Sequence, residues 1–125
     1  AIFGHNLETV PRLYQRVRPM ADYKTSLHII SSANNSSPKI LTKSGIMVGL
    51  GETMKEVIGV MHDLRQAGCD IVTIGQYLRP SKENMAVQRY VKPGEFDEYR
   101  LEGKTMGFMK VLSDPFVRSS YHAGS

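Results

Sequence analysis

The sequence has almost no cysteine and no long hydrophobic run. Cys69 is the single cysteine among 125 residues, so the chain alone can form no internal disulfide, no CxxC redox pair and no multi-cysteine metal cage. No apolar run approaches the roughly 18 to 20 residues that are needed to span a bilayer, and residues 1–5 lack the basic and apolar regions of a signal peptide. We therefore expect neither a disulfide framework nor a membrane partner.

The charge balance is only mildly basic. Lysine and arginine number 16 against 12 aspartate and glutamate, which gives a net charge of +4 scattered along the chain. This excess mildly favours an acidic partner or surface, but nucleic-acid binding requires a more concentrated basic surface. We expect no nucleic-acid partner.

Two short apolar runs, residues 45–49 and 70–75, predict buried strands. A helix is predicted between them, because Thr53 and Glu56 form a capping-box pattern and Gly68 suits a left-handed helix end. The apolar stripe of this helix has helical spacing and consists of Val57, Val60, Met61, Leu64 and Ala67. Strand, helix and strand within about thirty residues predict a right-handed parallel crossover.

Shorter elements, separated by prolines and polar residues, are predicted on both sides of this unit. In chain order they are a strand at residues 2–3, a helix between Pro11 and Pro19, a helix from about Tyr23 to a polar loop at residues 34–38, a loop at residues 80–84, a helix from Pro93 and a strand at residues 110–112. Alternating strands and helices predict an α/β fold with parallel strands.

Parallel β/α folds carry their chemistry at the C-terminal ends of the strands, where the loops converge. This rule nominates the residues that directly follow each predicted strand, namely Asn6, Glu8, Gly51, Glu52, Gln76, Tyr77 and Arg79.

Residues 49–53, Gly-Leu-Gly-Glu-Thr, connect a predicted strand to a helix N-terminus, where free backbone N–H groups can bind an anion. The segment is not a dinucleotide fingerprint, because Met54 stands where GxGxxG needs its third glycine, and it lacks the Gly-Lys-Ser/Thr ending of a Walker loop. Two interpretations stay open. One is an anion site, as in a small phosphate-binding α/β domain, and the other is a tight turn in which Glu52 favours the helix dipole.

Two further polar segments are ambiguous from their residues alone. Residues 5–8, His-Asn-Leu-Glu, can bind a small polar ligand or cap the next helix, and they are incomplete as a metal site. Residues 118–122, Arg-Ser-Ser-Tyr-His, fit a polar loop, an anion site or a tail, and no GxSxG elbow supports a hydrolase. Cys69 is expected to be a buried, inert thiol.

Four blocks of the chain closely resemble, in the same order, blocks of lipoyl synthase. They are residues 5–14 (HNLETVPRLY), 43–53 (KSGIMVGLGET), 73–81 (TIGQYLRPS) and 117–123 (VRSSYHA). The likeness runs through nearly the whole chain except the loop around Asn34. Lipoyl synthases belong to the radical S-adenosylmethionine superfamily.

The resemblance implies the C-terminal part of a partial (β/α) TIM-like barrel with parallel strands. It implies the insertion of two sulfur atoms at C6 and C8 of an octanoyl chain carried on a protein lysine. The implied cofactors are S-adenosylmethionine and two [4Fe–4S] clusters, with a reductant such as ferredoxin or flavodoxin. The implied partners are lipoyl carrier domains of 2-oxoacid dehydrogenases or the glycine cleavage H protein, in the bacterial cytoplasm or the mitochondrial matrix.

The resemblance also assigns residues. Ser120, in preference to Ser119, matches the serine that ligates the second cluster, and Arg118 is expected to hold the substrate or the serine loop. An alkoxide oxygen is a harder ligand than a thiolate, which suits a cluster that is dismantled as it gives up sulfide. The glycine-rich motif, with Met47 where isoleucine is usual, and the neighbouring strand ends give the cofactor-binding residues Asn6, Gly49, Gly51, Glu52, Gln76 and Arg79.

The chain departs from the family in one respect, since both cysteine triplets that hold the clusters are absent. We therefore expect residues 1–125 to be the C-terminal half of the barrel, ending in the auxiliary-cluster segment, inactive alone, poorly stable and exposing a barrel edge. The alternative from another functional class is a noncatalytic module that binds S-adenosylmethionine or the carrier.

Overall fold

The computed structural model describes residues 1–37 and 39–117, in which strands and helices alternate along the chain. The elements are β1 (Ile2–Gly4), a 3-10 helix (Pro11–Leu13), α1 (Tyr14–Val17), α2 (Tyr23–Ser36), β2 (Leu41–Val48), α3 (Met54–Gln66), β3 (Ile71–Gln76), α4 (Pro93–Met106) and β4 (Lys110–Ser113). In the part of the chain that the structure describes, no helix is both long and apolar enough to cross a membrane.

The four strands form one parallel sheet in the order β1-β2-β3-β4. Each strand therefore pairs with its neighbours in sequence, and the order never reverses as it does in a doubly wound fold. Because β-α-β crossovers are almost always right-handed, a sequential order places the connecting helices on one face of the sheet. The α/β fold with parallel strands is confirmed, and the arrangement is that of consecutive strands in a (β/α) barrel.

The core lies between the sheet and its helices. Along β2, Ile46 and Val48 are buried in this core, whereas the alternation of side chains places Gly45 and Met47 on the opposite, uncovered face, the one away from the helices. The helical side of the core is formed by Val57, Val60, Met61 and Leu64 of α3 and by Phe96 and Tyr99 of α4. The uncovered face is consequently the side of the sheet on which a ligand can lie.

Helix α3 confirms its prediction from local signals. Thr53 caps it through a complete capping box with Glu56, and Gly68 follows its C-terminus with a φ of +91°. Arg12, from the 3-10 helix, adds hydrogen bonds of 2.9 Å to both Glu56 carboxylate oxygens. The start of α3 is therefore tied to the segment that follows β1.

The prediction of a polar loop at residues 34–38 is wrong for residues 34–36, because α2 continues to Ser36. Asp22 caps the start of this helix by accepting from the Thr25 N–H at 2.9 Å. Near its end, the Asn34 amide packs so closely on Gly68 that a Cβ there would lie 2.2 Å from the Asn34 nitrogen. This contact with the end of α3 favours helix in residues whose intrinsic preference is for turns.

Candidate functional site

A cavity of about 270 Å³ opens on the uncovered face of the sheet, at the C-terminal ends of the strands. Parallel strands bring the residues that follow them to this one edge. Part of the wall is polar and consists of Asn6, Glu8, Thr73 and Gln76. The rest is largely apolar and consists of Gly45, Ile46, Met47, Gly75, Leu78, Pro115, Phe116 and Val117.

The segment after β1 is held on β2 by a continued ladder of backbone hydrogen bonds. The Glu8 N–H donates to the Gly45 carbonyl at 2.9 Å, and the Met47 N–H donates to the Glu8 carbonyl at 2.8 Å. Glu8 adopts a φ of +75°, a left-handed conformation that is uncommon outside glycine. The alternative that residues 5–8 cap the next helix is wrong, since the 3-10 helix has Val10 as its N-cap and no side-chain cap.

Asn6 reaches the cavity because Gly45 lies beneath it. A Cβ on Gly45 would stand 2.7 Å from Thr73 Oγ1 and 3.0 Å from Asn6 Oδ1, so any larger residue would displace both side chains. Arg18 donates to the Asn6 carbonyl at 3.1 Å and fixes the backbone of this segment. Sequence reasoning predicted Asn6 and missed Thr73, which the alternation of side chains along β3 places on the same face as Gly75.

His5 is the first residue of the segment after β1, and one of its ring nitrogens lacks a hydrogen-bond partner among the described residues. This nitrogen, Nε2, is buried. Partial burial and then the positive charge of Arg18 lower the pKa of His5, while Glu8 opposes this shift. Burial and Arg18 thus favour the neutral form of the imidazole.

Glu52 folds back onto the turn that precedes it. Its carboxylate accepts from the Gly49 N–H at 3.0 and 3.1 Å and from the Leu50 N–H at 2.9 Å, and the residue is only 5% exposed. Neither Glu52 nor Gly49 nor Gly51 lines the cavity. The anion site is disfavoured, because the Gly49 and Leu50 N–H groups of this segment already donate to Glu52.

Gln76 lines the cavity and also fastens the long loop after β3. Its amide nitrogen donates to the carbonyls of Tyr77 and Arg89 at 3.0 and 3.1 Å, and its amide oxygen accepts from the Val91 N–H at 2.8 Å. Both amide protons are thus engaged, so Gln76 can offer a ligand only the remaining lone pair of its oxygen.

Arg79 hydrogen-bonds within its own loop and does not line the cavity. Its guanidinium donates to the carbonyls of Asn84 and Lys82 at 2.8 and 2.6 Å and is exposed. Arg79 is absent from the cavity wall. The predicted loop at residues 80–84 is therefore closed by the arginine that precedes it.

The two predicted catalytic residues, Arg118 and Ser120, lie outside the described residues. Val117, which directly precedes Arg118 in the sequence, lines the cavity. Sequence reasoning missed Val117, Pro115, Phe116 and Leu78, since loop residues carry no periodicity that reveals their direction.

Within residues 1–37 and 39–117, no group of three or more histidine, cysteine, aspartate or glutamate side chains is placed to hold a metal ion. Cys69 is fully buried, and burial raises the pKa of its thiol to about 12. A thiol of this kind stays protonated and unreactive, as predicted from its position in the sequence.

Comparisons with known proteins relate the chain to one group of enzymes. No family model matches the sequence. Over 122 residues, which are 98% of the chain, it is 56% identical to curated proteins named lipoyl synthase from Acidithiobacillus ferrooxidans and Escherichia coli, and 55% identical to one from Pectobacterium atrosepticum. The chain spans 38% of the length of each of these relatives.

Proposed function

The chain is homologous to a part of the lipoyl synthases, and from this premise we propose that the full-length protein inserts sulfur at C6 and C8 of a protein-bound octanoyl chain. The observation that carries this proposal is the identity of 55–56% across nearly all of the chain. The described residues of this chain also form a cavity at the C-terminal ends of the parallel strands, where (β/α) barrel enzymes carry their active sites.

We propose that this cavity forms part of the site for S-adenosylmethionine. The residues fit such a ligand, since Asn6, Thr73 and Glu8 offer amide, hydroxyl and carboxylate groups to its polar atoms. Gly45 keeps the floor open, because a Cβ there would fill the space that Asn6 and Thr73 occupy. When bound and reduced, the cofactor supplies the radical that removes hydrogen from the octanoyl chain.

The remaining predicted residues support this site indirectly. Glu52 holds the Gly49–Leu50 turn after β2, and Gln76 holds Arg89 and Val91 of the loop after β3, so both stabilise segments that follow the strands. Arg79 shapes the adjoining loop. Direct contact of Gly49, Gly51, Glu52 or Arg79 with the cofactor remains a prediction.

The described residues do not fit an iron–sulfur cluster. Clusters require several thiolate ligands, and Cys69 is buried away from the cavity as a protonated thiol. We propose that the cysteine ligands belong to a part of the full-length protein outside this chain, and that Ser120 is the chain's own ligand. Residues 1–125 would then be the C-terminal half of the barrel.

The partners and compartment follow from the proposed reaction. We propose octanoylated lipoyl carrier domains or the glycine cleavage H protein as substrates, and ferredoxin or flavodoxin as reductant. The reported relatives are bacterial proteins. A cytoplasmic or mitochondrial-matrix location accords with cluster chemistry, which needs a reducing environment.

Replacing Ser120 tests the proposed function. In the full-length protein, Ser120→Ala should leave the reductive cleavage of S-adenosylmethionine intact and lower the yield of lipoyl product at least tenfold, because sulfur transfer is lost while radical formation is not. Quantifying 5′-deoxyadenosine and lipoyl peptide by mass spectrometry measures the two steps separately. Ser119→Ala is the matched control and should retain product.

Three results would contradict this proposal. Normal product from Ser120→Ala would remove the ligand role, and loss of product only in Ser119→Ala would transfer that role to the neighbouring serine. Absence of cofactor cleavage by the reconstituted wild-type protein would favour the noncatalytic binding module instead.

A further inference from the structure

Met20 is the most exposed large apolar side chain among the residues that the structure describes. It is 98% exposed, whereas the next two, Tyr90 and Met109, are 71% and 64% exposed. The chain has seven methionines, and the other five are at least partly buried. Met20 therefore presents its thioether sulfur to solvent with almost no shielding by the described residues.

A turn between α1 and α2 holds Met20 in this position. The Ala21 N–H donates to the Arg18 carbonyl at 3.0 Å, which makes Pro19 and Met20 the two central residues of the turn. The Arg18 N–H donates in its turn to the Tyr14 carbonyl of α1 at 2.7 Å. The turn is thus bonded to the end of a helix, and Met20 lies at its tip.

The packing of the protein does not account for a methionine at this position. Burial of a methionine side chain contributes about 1.5–3 kcal/mol to stability, and Met20 has almost none of this burial. The central positions of turns usually carry small polar residues, glycine or proline. A polar oxygen added to the Met20 sulfur would stay in water and leave the core unchanged, whereas at the fully buried Met61 it would have to be desolvated.

We propose that Met20 is a site of reversible oxidation by hydrogen peroxide. One peroxide oxygen is transferred to the sulfur, so that the O–O bond breaks, an S–O bond forms, the thioether is oxidised to the sulfoxide and the peroxide is reduced to water. Methionine sulfoxide reductases reverse this step with a dithiol, which is oxidised to a disulfide while the oxygen leaves as water. Both reactions require access to the sulfur, which the turn provides at Met20.

Met109 offers a comparison within the same protein. It is 64% exposed, but it directly precedes β4 and its N–H donates to the Asp70 carbonyl at 2.8 Å. Its backbone is therefore held against the sheet, and a reductase has less room to bring its active site to the sulfur. We expect Met109 to be oxidised more slowly than Met20 and to be repaired less completely.

Peptide mass spectrometry of the full-length protein tests the proposal. The protein is exposed to hydrogen peroxide for increasing times, the reaction is stopped with catalase, and the sulfoxide at each methionine is quantified. Met20 should be oxidised about threefold faster than Met109 and more than about tenfold faster than Met61, because the rate follows the exposure of the sulfur. A methionine sulfoxide reductase with dithiothreitol should then return Met20 to the thioether.

Two variants identify the residue that reacts first. Met20→Leu keeps an apolar side chain but has no sulfur to oxidise, so the intact protein should take up its first oxygen atom about threefold more slowly, at Met109. Met109→Leu is the matched control and should leave this first step unchanged. Protein oxidised at Met20 alone should keep the wild-type melting temperature, because the side chain contributes almost no burial.

Three results would overturn the proposal. Slower oxidation of Met20 than of Met109 in the full-length protein would show that another part of that protein covers the turn. A Met20 sulfoxide that the reductase does not reduce would exclude reversibility, and a lower melting temperature after oxidation at Met20 would assign a structural role to this side chain. None of these results depends on sulfur insertion, so the proposed function is tested separately.

Discussion

The Glu52 carboxylate accepts hydrogen bonds from the backbone of its own turn. The carboxylate accepts from Gly49 and Leu50, whose N–H groups would otherwise be buried without partners. A buried N–H without an acceptor costs about 1–3 kcal/mol. The side chain therefore stabilises the turn that follows β2.

Replacing Glu52 should destabilise the protein in steps. Glu52→Ala is expected to lower the free energy of unfolding by about 2–4 kcal/mol, and Glu52→Gln by about 1 kcal/mol, because the amide retains one acceptor oxygen. Urea unfolding followed by circular dichroism measures both. Glu98→Ala, at an exposed position of α4, is the control and should change the free energy by no more than about 0.5 kcal/mol. A loss no larger than that of the control would contradict this role of Glu52.

At the scale of residues, the sequence predicts which side chains follow a strand but not where they point. Asn6 and Gln76 line the cavity because backbone pairing with β2 fixes the residues on either side of them. Arg79 and Glu52 turn to backbone carbonyl and N–H groups that only the folded loops bring near. Their directions depend on contacts between distant loop residues, which no local pattern encodes.

At the scale of elements, α3 and α4 begin in the same way. Glu56 of α3 is paired with Arg12, and Glu95 of α4 is paired with Arg89, each through the guanidinium of a residue outside the helix. Hydrogen bonds from these arginines are the main cause that lowers the pKa of both glutamates to about 2. Both helices are thus anchored at their N-termini by a carboxylate that must stay ionised.

Lowering the pH should consequently destabilise the N-terminal ends of α3 and α4. A folded pKa near 2, below the ordinary value of 4.5, means that the stabilisation is complete above pH 4.5 and is lost as the pH falls toward 2. The free energy of unfolding should fall across this window. The variant Glu56→Gln with Glu95→Gln should be less stable at pH 7 and show a shallower decline, as measured by urea unfolding at several pH values. An unchanged decline in that variant would assign the acid sensitivity to other groups.

Helices α2 and α3 differ in how far their ends could be predicted from the sequence. Capping residues and Gly68 specify α3 locally, and its bounds agree with the pattern. The end of α2 depends on Asn34 packing against Gly68, a contact across 34 positions of sequence. A composition typical of turns therefore misled the prediction, because tertiary packing outweighs a weak local preference.

At the scale of the whole molecule, β1 lies at one edge of the described sheet with its residues exposed. Ile2 is 60% exposed and Phe3 is 37% exposed. An apolar edge strand is a template on which another chain can pair. If the chain is part of a larger barrel, as we propose, further strands would continue the sheet at this edge.

The 125-residue chain produced alone should therefore self-associate. Light scattering at micromolar concentrations is expected to detect dimers or larger species, and Ile2→Lys should reduce them at least several-fold, because a charge on an edge strand opposes pairing. Tyr90→Lys alters a residue that is 71% exposed outside the strands, and it should have little effect. A monomeric wild-type chain, or equal effects of both substitutions, would argue against association through β1.

The sequential order of the strands also bears on how the molecule is made. Because each strand pairs with the one synthesised just before it, the sheet can grow in the direction of translation without waiting for distant partners. The residues after β4 are the last of the described chain to leave the ribosome. Phe116 and Val117 therefore complete the cavity only after β4 has joined the sheet, so a synthesis product that stops before β4 would lack the part of the apolar lining that residues 115–117 supply.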